Sequence, residues 1–421
     1  MLYIPRRATE SLRRLLRTFP AVLVYGPRQS GKSTLVRRLF PDWLHLDLER
    51  PRDAALIGAD LEAFFEANPR RVVLDEAQRL PELFPVLRHV LDRSSAKGRF
   101  LLTGSASPSL LRTASETLAG RIGLLELTPF AMIELVGTRF ARDRWFWGGY
   151  PPVHALGRAR ARADWLDSYV TTLLERDLPA LGIRLPVSRL RRLAAMLTHV
   201  HGSVLNVSDL ARSLGVSPPT VDHDLDVLEG TFLLRRLPPY HANVQKRLTK
   251  SPKIYVRDTG LLHFLASLHR PDDLTTWHRR GHSFEGLVIE EITALAREVL
   301  VRPEVFFWRT HAGAEVDLVV GDGRRLVPIE IKLGSVVDRY AVRGLRQAMA
   351  DLGLDRGWIV TGSGERRRIG RDIEIVPWSE VATGAVDFGF GRWRRGGRRA
   401  RGRRTAQPPE RVADTPRDTP R

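Results

Sequence analysis

A glycine-containing loop that connects an apolar strand to a helix restricts the folds open to this chain more than any other sequence feature. Residues 21–25 form a short hydrophobic run of the kind found in buried parallel strands. The segment Gly26-Pro-Arg-Gln-Ser-Gly-Lys-Ser follows it, and a helical pattern continues over residues 34–40. Parallel strands are joined by crossover helices that cover both faces of their sheet. The N-terminal part of the chain is therefore predicted to be an α/β domain built on a parallel sheet.

Residues 26–33, named the phosphate loop below, have the spacing Gly-x-x-x-x-Gly-Lys-Ser. Glycines allow the backbone to fold around a phosphate, and the N–H groups that start a helix attract anions. Lys32 is expected to reach the terminal phosphates, and Ser33 to offer its hydroxyl to Mg²⁺. The alternative is that these residues form a glycine turn that binds nothing. In that case, the loop spacing and both flanking elements would match a phosphate-binding motif by chance. The residues predicted to contact the nucleotide are Gly26, Pro27, Arg28, Gln29, Ser30, Gly31, Lys32, Ser33 and Thr34.

Two further apolar runs end in polar side chains that suit the same site. One run ends at Asp75 and Glu76. Asp75 is predicted to hold Mg²⁺ through water, and Glu76 to polarise the attacking water as the general base; the simpler alternative is that Asp75 caps a helix. The other run ends at Thr103 and Ser105, one of which is predicted to bind the γ-phosphate. The alternative for these two residues is a turn.

The order of these elements resembles the AAA+ ATPase core. Arg121 precedes the last apolar strand pattern of this region. In the AAA+ core, an arginine at that place acts on the nucleotide of a neighbouring subunit, where it stabilises the charge of the transition state. The resemblance therefore implies a catalytic role for Arg121 within a homo-oligomer, with Arg112 as the competing residue.

Further motifs extend the resemblance along most of the chain. Together they resemble a widespread prokaryotic family of AAA-type ATPases with a C-terminal domain of uncharacterised role, over about residues 10–380. The resemblance implies binding and hydrolysis of ATP with Mg²⁺, and it leaves the biological substrate open. The chain departs from the family pattern at Pro152, a position where the family often has Glu. The resemblance therefore implies no role for an acidic side chain at this position, and what it implies for the nucleotide site is unaffected. The motifs are residues 148–151, 169–177, 206–211, 246–255 with 258–262, and 315–317 with 329–332.

Residues 208–229 predict two helices that are separated by a tight turn at Gly215, with Ser217 as the N-cap of the second helix. The pattern resembles a winged helix-turn-helix, whose second helix reads DNA.

The second of these helices is unusually acidic for a DNA reader. It has no Lys or Arg, and it carries Asp222, Asp224, Asp226 and Glu229. Carboxylates are repelled by a polyanion, so this motif is predicted to pack against the ATPase lid or a neighbouring subunit. A nucleic-acid contact is assigned instead to a basic stretch near the wing, for which a solvated surface is the alternative explanation: Lys246, Arg247, Lys250 and Lys253.

Near the C-terminus, two strand patterns flank the dipeptide Asp322-Gly323. If this dipeptide is the two-residue turn of a hairpin, Glu315 faces Glu330, and Asp317 faces Pro328. Cross-strand partners share a face. One face is therefore predicted to carry Glu315, Asp317, Glu330 and Lys332. The other face is predicted to be an apolar core face of Val316, Leu318, Val320, Val327, Ile329 and Ile331.

The polar face of this hairpin resembles the D…E-x-K core of the restriction-endonuclease-like nucleases. The resemblance implies that Asp317 and Glu330 hold a divalent metal and that Lys332 steadies the attacking water. It also implies that Glu285 supplies an acid from the first helix of the fold. The alternative is a salt-bridge cluster on a solvent-facing sheet. We favour the nuclease-like fold, and whether it cuts nucleic acid is left open.

Composition limits the partners and the surroundings of the chain. The net charge is +19, and residues 391–421 hold eleven Arg against three acidic residues. Such a tail cannot bury a core and is predicted to be disordered, either binding polyanions without sequence preference or keeping the chain soluble. The absence of cysteine excludes disulfides and thiol chemistry. Because we find no apolar run of signal-peptide or membrane-spanning length, we predict a cytoplasmic protein without membrane contact.

These patterns predict an α/β protein with a P-loop NTPase core of AAA+ type, a helical and winged-helix region, and a restriction-endonuclease-like domain. The predicted segments are the ATPase core (1–135), a lid-like helical region (136–195), the winged helix (196–257), the nuclease-like domain (258–385) and the tail (386–421). The primary hypothesis is an ATPase whose nucleotide cycle changes its conformation and acts on a nucleic-acid or protein partner. The rival hypotheses are a metal-dependent nuclease regulated by ATP, and a non-hydrolysing, nucleotide-gated DNA-binding or adaptor protein.

Overall fold

The apolar run before the phosphate loop lies inside a parallel sheet. The computed structural model describes residues 3–105, 108–180, 183, 185–240 and 251–390. The strands of this first sheet are β1 (Ala21–Gly26), β2 (Leu44–Asp47), β3 (Val72–Asp75), β4 (Phe100–Ser105) and β5 (Ile122–Glu126). The surrounding helices are α1 (Ala8–Thr18), α2 (Lys32–Leu39), α3 (Pro51–Gly58), α4 (Leu61–Ala67), α5 (Leu83–Asp92) and α6 (Pro108–Thr117).

The strands follow the order β2-β3-β4-β1-β5, and every neighbouring pair is parallel. Both faces are buried: Leu23 packs with α4 and α5, whereas Val22 packs with α1 and α2 on the other side. The prediction of a parallel α/β domain is confirmed. Because β4 lies between β1 and β3, the carboxyl ends of these strands bring Gly26, Asp75 and Ser105 to one edge of the sheet.

The next region is mainly helical, and most of its buried side chains share one apolar core. Its first helices are α7 (Met132–Leu135), α8 (Arg144–Trp147), α9 (Pro151–Ala155) and α10 (Ala159–Thr172). A π-helical turn at Leu173–Asp177 leads to α11 (Leu178–Ala180), α12 (Val187–His199), α13 (Val207–Leu214) and α14 (Pro218–Gly230). An antiparallel sheet of order β6-β8-β7 is formed by β6 (Ser203–Val204), β7 (Leu234–Leu237) and β8 (Lys253–Val256). The last helices of the region are α15 (Thr259–Leu265) and α16 (Asp273–Thr276).

The turn between α13 and α14 matches its sequence signals. Gly215 follows α13 in a left-handed conformation with φ of 70°, which glycine adopts without steric cost. The hydroxyl of Ser217 accepts the backbone N–H of Thr220 at 3.4 Å and caps α14. The predicted helix, glycine turn and serine-capped helix are therefore confirmed.

The C-terminal domain is a six-stranded mixed sheet between two helices. Its elements are α17 (Arg280–Val299), β9 (Glu304–Arg309), β10 (Glu315–Gly321), β11 (Leu326–Lys332), α18 (Arg339–Leu352), β12 (Gly357–Thr361), β13 (Arg367–Ile369), β14 (Ile373–Pro377) and α19 (Trp378–Ala382). The strand order is β13-β14-β12-β11-β10-β9, with parallel pairing within β11, β12 and β14. Helix α17 covers one face and α18 the other. The alternative in which the hairpin presents a polar face to solvent is therefore wrong.

The register of the β10–β11 hairpin also differs from the prediction. Residues 322–325 connect the strands, because the Asp322 carboxylate accepts the backbone N–H groups of Arg324 (3.0 Å) and Arg325 (2.9 Å) and closes a wider loop. Val319, rather than Asp317, consequently lies opposite Pro328. The predicted two-residue turn and its pairs, including Glu315 with Glu330, are therefore wrong.

Strand β10 contains a bulge that strict alternation does not predict. Its pairing with β9 shifts between Val316 and Val319, so that Asp317 and Leu318 together oppose a single residue of β9. Val316 then packs in the core beside α18, whereas Leu318 packs in the core beside α17. The prediction that the side chains of Val316 and Leu318 share one apolar face is therefore wrong.

Helix α17 joins the C-terminal domain to the parallel sheet through buried ion pairs. Arg257 lies 2.7 Å from a carboxylate oxygen of Glu126, at the end of β5, and 3.1 Å from one of Glu290 on α17. Glu291, also on α17, pairs with Arg144 at 3.0 Å. Burial raises the pKa of Glu291 to about 7, although Arg144 opposes this. Such contacts couple the position of α17 to that of β5.

No helix among the described residues has the length and apolar character that a membrane span requires.

Candidate functional site

The phosphate loop adopts a backbone that its two motif glycines permit. Gly26 has a φ of 152°, and a Cβ at this position would lie 2.3 Å from the carbonyl oxygen of Leu127. Gly31 has a φ of 96° immediately before α2, in the region that favours glycine. Both positions therefore need glycine for the loop to pass close to β5 and then enter the helix.

Arg6, which no sequence motif marks, holds the phosphate loop beside the end of β5. Its guanidinium donates to the carbonyl oxygens of Ser30 (2.7 Å) and Thr128 (2.5 Å) and pairs with Glu134 at 3.2 Å. The side chain is buried. Because charge-assisted hydrogen bonds are strong, Arg6 stabilises the loop conformation before any phosphate binds.

Lys32 is buried at the start of α2, and its ammonium is directed back onto the loop. The Nζ atom donates to the carbonyl oxygens of Gly26 (3.1 Å) and Pro27 (3.0 Å). Burial lowers the pKa of Lys32 to about 8, while Glu76 and Asp75 oppose this decrease. The ammonium thus has neutral partners that phosphate oxygens could replace.

The affinity for ATP is expected to fall as the pH rises above about 8. Lys32 is charged below its pKa of about 8 and loses its proton above it, and a neutral amine cannot compensate phosphate charge. Titration of a fluorescent ATP analogue from about pH 7 to about pH 9.5 measures this decline. Lys32→Arg is the control, because arginine stays charged over the whole range. An affinity that is constant across the range in the unmodified protein would contradict the prediction.

The remaining residues of the predicted nucleotide site lie close to this lysine in the chain. Gln29 has a φ of 59° within the loop, and Ser30 is buried. Ser33 and Thr34 lie in the first turn of α2. The loop therefore places its backbone N–H groups at a helix N-terminus, as an anion site requires.

Hard oxygen donors meet beside the loop. The Ser33 hydroxyl donates to a carboxylate oxygen of Asp75 at 3.0 Å, and the Thr103 hydroxyl donates to the same oxygen. Arg37 lies 3.8 Å from the other oxygen. A carboxylate and a hydroxyl at this distance fit Mg²⁺, which prefers oxygen ligands and keeps several waters. Thr103, which with Ser105 is one of the two candidates for a γ-phosphate contact, thus donates to Asp75 and orients its carboxylate.

Glu76 lies next to this group at the end of β3. It has a left-handed backbone with φ of 57°, and its carboxylate accepts hydrogen bonds from the Gln78 amide and from the Ser105 hydroxyl (3.4 Å). No motif in the sequence marks Gln78, which lies two residues after Glu76. The three side chains form one wall of a cleft beside the loop.

The opposite wall of this cleft comes from the helical region. Arg28 of the loop pairs with Asp177, the last residue of the π-helical turn, at 2.5 Å. Burial raises the pKa of Asp177, although Arg28 opposes this increase. Asp177 belongs to one of the motifs noted above, yet its partner in the loop could not be read from the sequence.

The structure does not bring Arg121 to the phosphate loop of its own chain. Arg121 directly precedes β5 and lies beside Ala21, at the amino ends of the strands and thus at the opposite edge of the sheet. It pairs with Asp92 within the same chain (Nη2 to Oδ2, 3.1 Å). Arg112 is exposed on α6. A role for either arginine in a neighbouring subunit stays a prediction.

A second cluster of charged groups surrounds Lys253 of β8. Its Nζ atom lies 3.0 Å from Glu285 and 3.1 Å from Asp317, and it also pairs with Glu315. The Tyr255 hydroxyl donates to Glu285. The lysine side chain is 3% exposed, so the prediction that Lys253 contacts nucleic acid is wrong. Lys246, Arg247, Lys250 and residues 391–421 of the arginine-rich tail lie outside the described residues. Val386 and Phe388, which the prediction assigns to the tail, are buried in the core of the C-terminal domain.

The other two residues of the predicted nuclease-like site lie at the end of β11. Lys332 pairs with one carboxylate oxygen of Glu330 at 2.7 Å, and the second oxygen has no hydrogen-bond partner among the described residues. Burial raises the pKa of Glu330, and Asp317 adds to this effect. Burial also raises the pKa of Glu285 to about 7. Within the described ranges, no three His, Asp or Glu side chains are arranged to hold a metal ion.

The carboxylates of α14 are largely paired within the chain. Asp224 is fully buried and pairs with Arg189 at 2.7 Å. Arg236 pairs with Glu229 at 2.7 Å and also with Asp226. Helix α14 therefore carries less uncompensated negative charge than its sequence alone suggests.

Comparison with known proteins finds three family descriptions that match successive parts of the chain. The description "AAA domain" matches residues 18–136, and two domains of unknown function, DUF8612 and DUF4143, match residues 138–272 and 280–381. The uncharacterized proteins Rv2008c of Mycobacterium tuberculosis and Mb2031c of Mycobacterium bovis are each 41% identical over 391 residues. These residues cover 92% of this chain and 87% of each relative.

Two solved structures show more distant likeness. The Walker-type ATPase paby2304 of Pyrococcus abyssi has a TM-score of 0.43 and 15% identity, covering 62% of this chain and 96% of that protein. A RuvB variant of Thermotoga maritima has a TM-score of 0.28 and 19% identity, covering 55% and 89%. At these TM-scores, neither structure indicates how the whole chain is arranged. The identity to the mycobacterial relatives is decisive: this chain belongs to the family of AAA-domain P-loop ATPases that carry the C-terminal domains DUF8612 and DUF4143.

Proposed function

We propose that this protein hydrolyses ATP with Mg²⁺ and that its nucleotide cycle changes its conformation to act on a nucleic-acid or protein partner. The observation that supports this best is the meeting of Lys32, Ser33, Asp75 and Glu76 at one edge of the parallel sheet. Family membership supports nucleotide binding. We retain the division into an ATPase core, a lid, a winged helix and a nuclease-like domain as part of this proposal.

Each of these side chains has one task in the reaction. Lys32 exchanges its carbonyl partners for oxygens of the terminal phosphates, while the loop N–H groups bind the same phosphates. Ser33 and Asp75 would hold Mg²⁺, which when bound draws negative charge from the phosphate oxygens. Glu76, held by Gln78 and Ser105, orients and polarises the attacking water.

Contacts around the phosphate loop offer a route from the nucleotide to the other domains. The Gly149 N–H donates to Asp258 at 2.7 Å, and the hydroxyls of Tyr150 and Tyr169 are 2.9 Å apart. The side chain of Pro151 borders Gly31 of the loop. Motif residues from distant parts of the chain thus converge beside the loop, where a change in its occupancy would move them together.

Phosphate release by the full chain, with and without double-stranded DNA, tests this proposal. We expect release that depends on both ATP and Mg²⁺, and stimulation by DNA if the partner is a nucleic acid. Release without stimulation would direct the search for a partner to proteins. Tight ATP binding with release at the background level would contradict the ATPase and favour the adaptor.

A metal-dependent nuclease regulated by ATP is the second candidate. It is supported by the burial of Glu285, Asp317 and Glu330 in one region, with Lys332 at its border, and by the unpartnered oxygen of Glu330. Against it, the ammonium of Lys253 already compensates Glu285 and Asp317. Nicking of DNA and RNA is measured with Mg²⁺ or Mn²⁺ for the full chain and for Asp317→Ala and Lys332→Ala. Absent nicking, or nicking that both variants retain, would remove this candidate.

A nucleotide-gated DNA-binding or adaptor protein is the third candidate. It is supported by the succession of α12, α13, α14 and the β6-β8-β7 sheet, which we interpret as a winged helix. The internal pairing of the α14 carboxylates lowers the repulsion that a polyanion would meet. Gel shifts at several salt concentrations, with the full chain and with a chain that ends at residue 390 and so keeps the buried Val386 and Phe388, distinguish binding by this region from binding by the tail.

A further inference from the structure

Arg28 and Asp177 form a contact between the phosphate loop and the helical region. Arg28 lies within the phosphate loop, two positions after Gly26. Its guanidinium donates to Asp177 at 2.5 Å, and a second nitrogen lies 3.7 Å from Glu49. The side chains of Arg28 and Asp177 are 27% and 13% exposed. A cation of the loop is thus held by a partly buried carboxylate of the helical region.

This pair borders the cleft beside Glu76, where the proposed reaction places the γ-phosphate and the attacking water. Arg28 and Asp177 line the cleft together with Glu76 and Ser105, which come from the ends of β3 and β4. Phosphoryl transfer places negative charge on the γ-phosphate oxygens, and an arginine in contact with them stabilises the transition state. Of the two arginines that line this cleft in the described part of the chain, Arg28 and Arg79, Arg28 belongs to the loop that binds the phosphates.

Asp177 is placed where it competes with a phosphate for Arg28. It ends the π-helical turn Leu173–Asp177, and such turns are frequent at functional sites. Its carboxylate has one negative charge, whereas the terminal phosphate of ATP carries more charge and more acceptor oxygens. A γ-phosphate in the cleft therefore attracts the guanidinium more strongly than Asp177 does.

We infer that Arg28 is the arginine that stabilises the γ-phosphate within the same chain, and that Asp177 holds Arg28 while no nucleotide is bound. This inference rests on the proposed ATPase function. On ATP binding, the guanidinium exchanges the Asp177 carboxylate for the γ-phosphate, and the contact between the loop and the helical region opens. After hydrolysis and loss of phosphate, Arg28 returns to Asp177. Through this exchange, the contact between the helical region and the phosphate loop depends directly on whether a γ-phosphate is bound.

Two variants with opposite effects test this exchange. Arg28→Ala is expected to lower kcat by about a hundredfold, while the affinity for ADP, which lacks the γ-phosphate, stays unchanged. Asp177→Asn is expected to tighten ATP binding by about tenfold, because the competing charge is gone, again with unchanged ADP affinity. Since Asp177 acts through Arg28, the double variant should behave like Arg28→Ala. Arg160→Ala is the matched control, because Arg160 is an exposed arginine on α10 that pairs with Asp164.

The outcomes separate this inference from the ATPase proposal. Wild-type kcat in Arg28→Ala, or an equal change of ATP and ADP affinity in Asp177→Asn, would overturn the inference while the ATPase proposal stands. An unmodified protein that releases no phosphate would overturn the ATPase proposal itself. Melting temperatures establish that the variants fold, and Arg28→Gln replaces Arg28→Ala if the smaller side chain destabilises the loop.

Discussion

Lys32→Ala is expected to reduce ATP turnover by roughly a hundredfold to a thousandfold and to weaken ATP binding. The ammonium lies inside the loop, within hydrogen-bond distance of the Gly26 and Pro27 carbonyl oxygens, so its loss leaves the terminal phosphates without their nearest cation. The loss is largest in the transition state, because negative charge develops there on the phosphate oxygens. Steady-state phosphate release measures turnover, and titration with a fluorescent ATP analogue measures binding.

Lys97→Ala is the matched control for this substitution, because Lys97 is an exposed lysine of the same domain. We expect it to hydrolyse ATP like the unmodified protein. Turnover in Lys32→Ala that equals turnover in Lys97→Ala would show that the phosphate loop is not the catalytic site.

Lys253→Met is expected to lower the free energy of unfolding by about 3–5 kcal/mol. The substitution keeps the length of the side chain but removes the ammonium that Glu285, Asp317 and Glu315 share. Two of these carboxylates are buried, and a buried charge without a partner is costly. Urea unfolding at neutral pH measures the loss, which would appear in the unfolding of the C-terminal domain.

The pH dependence and two further variants test the electrostatic origin of this loss. Burial raises the pKa of Glu285 to about 7, so its carboxylate takes up a proton below that pH and needs Lys253 less. Lys253 lowers this pKa in the unmodified protein, so Glu285 of the Lys253→Met variant takes up its proton at a higher pH. The destabilisation is therefore expected to shrink as the pH falls towards about 7, and Glu285→Gln in the Lys253→Met background should restore part of the stability. Arg309→Met removes a half-exposed partner of Glu315 and should cost less than about 1 kcal/mol. Equal losses in Lys253→Met and Arg309→Met would contradict this explanation.

Local sequence patterns were sufficient for the nucleotide-binding edge of the sheet. Gly26 and Asp75 end apolar strands, Glu76 follows one directly, and Lys32 lies in the phosphate loop that leaves β1. In a parallel sheet the carboxyl ends of strands meet. The order of neighbouring residues therefore predicted which side chains lie together. The same reasoning predicted the turn at Gly215, because its glycine and serine signals act within a few residues.

Patterns failed where one residue changed the register. The side chain of Asp322 binds two backbone N–H groups and lengthens the hairpin loop, and the bulge at Asp317 separates Val316 from Leu318. Neither the longer loop nor the bulge changes which residues the two strands contain. An alternating pattern assumes regular pairing, so it contains no information about these two departures.

By itself, the sequence determined the parallel sheet, the phosphate loop and the polar ends of the strands beside it, because these depend on residues that are close together in the chain. Only the tertiary structure decided the partners of the charged side chains: Lys253 enters the acidic cluster, Arg28 meets Asp177, and Arg6 holds the loop. The physical reason is that a buried charge must find an opposite charge or hydrogen-bond partner wherever the fold brings one within reach. The distance between two such partners is set by the packing of elements that are remote in the chain. A local pattern of residues contains no information about this packing.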